Sequence, residues 1–273
     1  MLNKLMSIDR RIIFLLVAVA AAIPMFMAFK LPIVPSPSVL NVYDTVEKLP
    51  PGSPVLISFD FDPASEAELY PMSLAVLHHC FTKGHRVYVM ALWPGAFGLI
   101  ENAIKETAGA MGKKSGEDYV VFPYNPGYTS VIIGLGQDLL QTFPKDAYGR
   151  ETASMPALAG VKSLRDMKYV VSIAAGSTVE AWIVYGREKS KFVFGAGCTG
   201  VMAPDCYPFL GTGQLNGLLA GLKGAADYEH LVGRPGRGIE GMRPQSVVHI
   251  LVILLILLGN TAYLLSRRAK KPA

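Results

Sequence analysis

Two aspartates spaced i, i+2, Asp60 and Asp62 in ISFDFDPAS, are the first residues of this chain whose types and spacing suggest chemistry. On a strand end such a pair points to one face and offers two carboxylates to a hard cation such as Mg2+. The local alternative is that Asp62-Pro63 starts a turn while Asp60 caps a helix or pairs nearby. Gly195-x-Gly197-x-x-Gly200 has the spacing of a pyrophosphate loop, but that chemistry needs a helix at the last glycine, and Pro204 and Pro208 intervene. Cys198, inside the same stretch, resembles a nucleophile on a tight turn; its base would have to be His230, the only later histidine before the final apolar block. His78 and His79 are adjacent on a predicted helix, so they diverge by about 100° and do not simply share a metal.

Other groups suit binding better than catalysis. Gly176-Ser177-Thr178 and the segment holding Asn125, Gly127 and Thr129 fall at strand-to-helix turns, where free amides and hydroxyls either receive a ligand or simply cap the helix. Gly213, Gly217 and Gly221 recur every four residues in a segment read as one helix over 213–231. Each glycine costs a helix about 1 kcal/mol relative to alanine, so the stripe is expected to admit a close neighbour, either the domain's own sheet or a partner helix. Cys198 and Cys206 form a small-loop disulfide if the domain faces an oxidising space, leaving Cys80 free; otherwise all three are packed thiols. No Cys/His spacing suggests zinc.

The segment ISFDFDPAS resembles the opening motif of haloacid-dehalogenase-like phosphatases. That resemblance implies a nucleophilic Asp60, an acid/base Asp62 and a magnesium ion neutralising the phosphate. It does not extend further. The second strand ends in Leu92-Trp93-Pro94 where that family carries Ser or Thr, and no paired-acid motif follows a later strand.

The elements that must position these residues follow from hydropathy. Apolar residues make up 51% of the 273-residue chain, charged residues 17%, and mean hydropathy is +0.34. The excess sits in two blocks, 12–29 and 247–265, each close to the ~20 residues that cross a bilayer as a helix. The first block runs longer than the ~7–15 residues of a signal-peptide core, so it reads as a span rather than a cleaved leader. The net charge of +5 gathers beside these blocks, which argues against a nucleic-acid surface. Lys4, Arg10 and Arg11 precede the first, and Arg267, Arg268, Lys270 and Lys271 follow the second, so both termini (1–11 and the basic tail 266–273) are expected in the cytoplasm. Lys30, Arg234, Arg237 and Arg243, at the opposite ends, reduce the asymmetry.

Between the blocks, 30–53 reads as a proline-rich tether with at most a short helix at Tyr43–Lys48, and 233–246 as a Gly/Pro linker. The remainder, 54–232, alternates strands with helices. The strands are Val55–Phe61, Arg86–Leu92, Asp118–Phe122, Lys168–Ala174 and Lys191–Phe194. Their continuous apolar runs predict an α/β fold, a parallel sheet covered on both faces in a three-layer Rossmann-like or flavodoxin-like arrangement. Such sheets bind ligands beyond the carboxyl ends of the strands. The expected function is a non-enzymatic, cofactor-free binding or scaffold domain, anchored in the bilayer and joined to a protein partner or a second copy. The alternative is a Mg2+-dependent hydrolase using Asp60 and Asp62 on a phosphorylated or other anionic substrate.

Overall fold

The computed structural model describes residues 9–27, 29 and 32–269 and divides the chain into two units. The larger, Ile33–Ile239, is built on a parallel sheet of six strands. These are β1 (Pro54–Asp60), β2 (Arg86–Met90), β3 (Tyr119–Val121), β4 (Tyr169–Ala174), β5 (Val193–Cys198) and β6 (Gly217–Ala220). Their order is β3-β2-β1-β4-β5-β6, that of a doubly wound sheet. The chain moves outward from β1 to β3 and then crosses back to β4. The loops leaving β1 and β4 therefore part in opposite directions and open a crevice.

The pleat explains why the strand sequences are largely apolar on both faces. Val55, Ile57 and Phe59 of β1 join Val87, Val89, Val171 and Ile173 in one core, and Leu56 joins Tyr88, Met90, Val120 and Val170 in another. The first core is covered by α2 (Pro37–Lys48), α3 (Glu66–Thr82), α4 (Phe97–Ile104) and α9 (Gly221–Leu231). The second is covered by α5 (Tyr128–Gln137), α6 (Leu139–Thr142), α7 and α8 (Ala203–Gly211). Helix α7 starts as Thr178–Ala181 and continues through a π-turn, Trp182–Arg187, into Glu188–Ser190 with helical backbone at each junction.

The expected glycine-striped helix over 213–231 does not exist. Gly213 sits in a turn with φ +72°, Gly217 opens β6, and Gly221 starts α9 with φ +58°. Three local demands, rather than one helical face, account for the spacing. At Gly217 a Cβ would lie 2.5 Å from the Ser38 carbonyl oxygen and 2.7 Å from Val42 Cγ2, so the α2 backbone rests directly on the strand. The neighbour that the small residue admits belongs to the same domain.

Helix α2 also corrects the tether. Its proline at the first helical position favours initiation, and Val39, Val42 and Val46 form a buried stripe at helical spacing. Two histidines hold it down. His79 Nε2 donates to Glu47 Oε2 at 2.9 Å, and its Nδ1 accepts from the Tyr228 hydroxyl at 2.9 Å. The Tyr43 ring stacks on that imidazole at 4.7 Å, and His85 Nε2 donates to the Val46 carbonyl at 3.0 Å. Burial pushes the His79 pKa down despite Glu47, consistent with a neutral ring.

The 233–246 linker is likewise mostly helical, because α10 spans Arg237–Ala269. Its first turn is capped by Glu229, whose carboxylate accepts from the amides of Gly236, Gly238 and Ile239 at 3.0, 2.9 and 2.8 Å. The Arg237 guanidinium lies 5.3 Å from the centre of the Tyr70 ring.

Among the described residues, one helix, Arg237–Arg267, is long and apolar enough to cross a membrane. Helix α1 (Arg10–Phe26) has 17 residues, because the backbone turns extended at Met27, and it falls short of that length. Its surface is nevertheless apolar, with Phe14, Leu15, Ile23 and Phe26 exposed, as are Ile250, Ile253 and Leu257 of α10. Lys4, Lys30, Lys270 and Lys271 lie outside the described residues.

Gly217→Ala is expected to drive a methyl group into the α2 backbone, cost about 1–3 kcal/mol as overpacking does, and open residues 37–48 to protease. Gly213→Ala faces open space and should cost about 1–2 kcal/mol from its left-handed backbone alone, leaving α2 protected. Equal cleavage of α2 in both variants would contradict the seating of α2 on β6.

Candidate functional site

A cavity of about 380 Å³ lies beyond the carboxyl ends of β1 and β4. One wall comes from the segment after β1. Phe61 is buried, and Asp62 begins a 3-10 turn, Pro63–Ser65, with its Oδ1 accepting from the Ala64 amide at 3.0 Å. Gly95, in the turn after β2, packs against this segment, where a Cβ would meet Asp62 Cβ at 3.4 Å. Two exposed rings also line the cavity, Trp93 from the β2 turn and Tyr128 from the start of α5. The opposite wall is Ala175-Gly176-Ser177 leading into Thr178 at the start of α7. Ser177 stands at the N-cap but its side chain makes no capping bond. The Thr178 hydroxyl is buried and has no partner among the described residues.

Asp60 does not present a free carboxylate to this cavity. It is 2% exposed, and four donors converge on it. Ser58 Oγ and the Leu92 amide donate to Oδ1 at 2.6 and 2.9 Å, and Ser172 Oγ and Trp182 Nε1 donate to Oδ2 at 2.7 and 3.1 Å. Burial pushes its pKa up, and the four hydrogen bonds offset this only in part. The expected i, i+2 pairing with Asp62 fails because β1 ends at Asp60, so Asp62 belongs to the turn rather than to the pleat. With two donors already on each Asp60 oxygen, the pair does not fit a magnesium ion, which demands near-octahedral oxygen ligands.

The other expected site residues separate into two groups. Gly176, Ser177 and Thr178 line the cavity; Asn125, Gly127 and Thr129 do not. Asn125 Nδ2 donates to the Thr142 carbonyl at 3.4 Å, and Gly127, at φ +81°, turns the chain so that its neighbour Tyr128 reaches the cavity. Trp93 and Tyr128 are the residues that motif reading missed. Their signal was position, each an aromatic beside a turn at the carboxyl edge of the sheet.

The glycine-rich stretch is structural. Gly195 and Gly197 lie within β5, where a Cβ would strike the Tyr169 hydroxyl and, at 2.5 Å, Met72 Sδ. The Gly200 amide donates to Glu68 Oε2 at 2.8 Å, so a carboxylate of the protein occupies the position a phosphate would need. Cys198 and Cys206 are free, buried thiols in the structure, the packed-thiol arrangement of the two alternatives, and both belong to the second core. The Cys206 hydrogen bond and then burial push the Cys198 thiol up, and burial pushes Cys80 up to about 12. His230 is exposed at the far end of α9, so Cys198 lacks both the low pKa and the base of a nucleophile.

No protein-family model, curated protein or solved structure matches the chain.

Asp60→Asn should cost about 1–3 kcal/mol, because in either orientation its NH2 faces an N–H donor, that of Leu92 or of Trp182. Because the native pKa is raised, ionisation opposes folding. Asp60's contribution to stability is whole below its ordinary value near ~3.9 and is lost as pH climbs through the raised one. Chemical denaturation across that window should slope downward in the wild type and lie flatter in Asp60→Asn. An unchanged slope would show that Asp60 keeps an ordinary pKa.

Proposed function

We propose that this protein is a membrane-anchored, non-enzymatic binding domain, a subunit of a membrane assembly, with its ligand site in the crevice between the ends of β1 and β4. The observation that carries this reading is the division of labour between the two aspartates. Asp60 is committed by four hydrogen bonds to the interior, which leaves the crevice with one carboxylate, two rings and an uncapped helix start. The pairing of two free carboxylates that hydrolysis by Asp60 and Asp62 would use is therefore absent from the crevice, and binding does not need it. The site also lies where doubly wound sheets hold their ligands.

In this reading α1 is a first span beside that of α10, both termini are cytoplasmic and the α/β unit faces the other side. Arg10 and Arg11 at the start of α1 and Arg267 near the end of α10 support this orientation. The apolar exposed surface of α1 beyond Arg11 supports its insertion.

Two measurements test the proposal. A glycosylation or alkaline-phosphatase reporter inserted at Gly149, an open turn of the larger unit, should report the non-cytoplasmic side. A cytoplasmic signal would overturn the topology. Full-length protein in mild detergent should not hydrolyse p-nitrophenyl phosphate with Mg2+ above the level of Asp62→Asn, whereas its Trp93 emission should respond to a fractionated small-molecule extract. Magnesium-dependent turnover lost in Asp62→Asn would overturn the non-enzymatic reading.

A further inference from the structure

The crevice carries opposite polarity on its two walls, and we infer that its ligand is a small zwitterion with an organic ammonium at one end and a carboxylate at the other. This rests on the crevice being the ligand site. On the β1 side the charge is negative. Asp62 Oδ1 takes the Ala64 amide, while Oδ2 has no hydrogen bond and no ion pair among the described residues. No Lys or Arg lines the cavity to neutralise it. Trp93 and Tyr128 are 44% and 40% exposed, large for such rings, and both line the same space. Aromatic faces beside an unpaired carboxylate attract an organic cation, and most strongly one whose charge is spread over methyl groups.

On the β4 side the polarity reverses. The helical run that begins at Thr178 points its first amides outward, and Ser177 does not cap them. An independent observation marks the same place. Thr178 is 4% exposed, and its hydroxyl is without a partner, a cost that native interiors rarely leave uncompensated. A carboxylate oxygen at this turn would accept from both. A plain anion would meet Asp62 with no counter-ion, and a plain cation would leave the Thr178 hydroxyl and the helix start unanswered. One molecule carrying both charges satisfies the two walls, and about 380 Å³ suits a molecule of amino-acid size.

Glycine betaine is the probe, with choline (the cation without the carboxylate) and acetate (the anion without the cation) as controls. Full-length protein in detergent is titrated by following Trp93 emission; buried Trp182, the only other tryptophan, reports on folding. Betaine should bind at least tenfold more tightly than either control. Asp62→Asn and Tyr128→Ala should each weaken it tenfold or more. Thr178→Val should bring betaine down to the level of choline while leaving choline unchanged, with Trp182 emission native in every variant. Choline or acetate binding as well as betaine, sensitive to Tyr128→Ala, would overturn the zwitterion while keeping the crevice as the ligand site. Silence with all three probes would also overturn it, and only silence toward the small-molecule extract as well would remove the ligand site itself.

Discussion

The arrangement of this domain depends on one buried carboxylate. Asp60 ends β1 at the centre of the sheet, and its hydrogen bonds reach within β1 to Ser58, to the chain leaving β2 at Leu92, to β4 at Ser172 and to the π-turn of α7 at Trp182. Those are the elements whose divergence creates the crevice. A doubly wound sheet separates its loops at the point where strand order reverses, and nothing in parallel pairing alone sets how far they part. A charge-capable group that accepts from both sides does so. Its burial would be costly if any donor were missing, which makes the geometry of the whole junction interdependent.

The same logic of a polar residue used as a fastener recurs at the edge. His79 links α2 to α9 through Glu47 and Tyr228, and Glu229 gathers the first amides of α10. In each case a titratable side chain that resembles chemistry in isolation is consumed by hydrogen bonds inside the fold. Among the groups left without a partner, Asp62 Oδ2 and the Thr178 hydroxyl lie together with the two exposed rings at the crevice.

Much of the fold was legible because parallel strands buried on both faces are apolar at nearly every position, as VLISF, VYVM and YVVSIA are apart from Ser58 and Ser172. β6 was not, since Gly217–Ala220 is short, begins with glycine and lies inside a segment whose i, i+4 glycines imitate a helical stripe. Helix α2 was hidden by the prolines around it, although Val39, Val42 and Val46 carried the right period. Of the site, the 176–178 turn could be read from its residue types. The role of Asp60 could not, because Ser172 and Trp182 lie 112 and 122 positions away in the chain. No local pattern encodes a partner at that distance, so a strand-end aspartate looks the same whether it is a nucleophile or a fastener.

The docking of α2 carries a consequence for biosynthesis. Its partners are almost the last part of the domain to be synthesised: the Ser36 amide donates to Asp227 across 191 residues, and Asn216 Nδ2 donates to Thr45 across 171. As the nascent chain leaves the ribosome, α2 emerges first and keeps its valine stripe exposed until β6 and α9 arrive. Contacts of such long range are slow to close. Through most of translation the domain therefore has one unfinished edge, where a chaperone, or a neighbouring nascent chain, would meet it first.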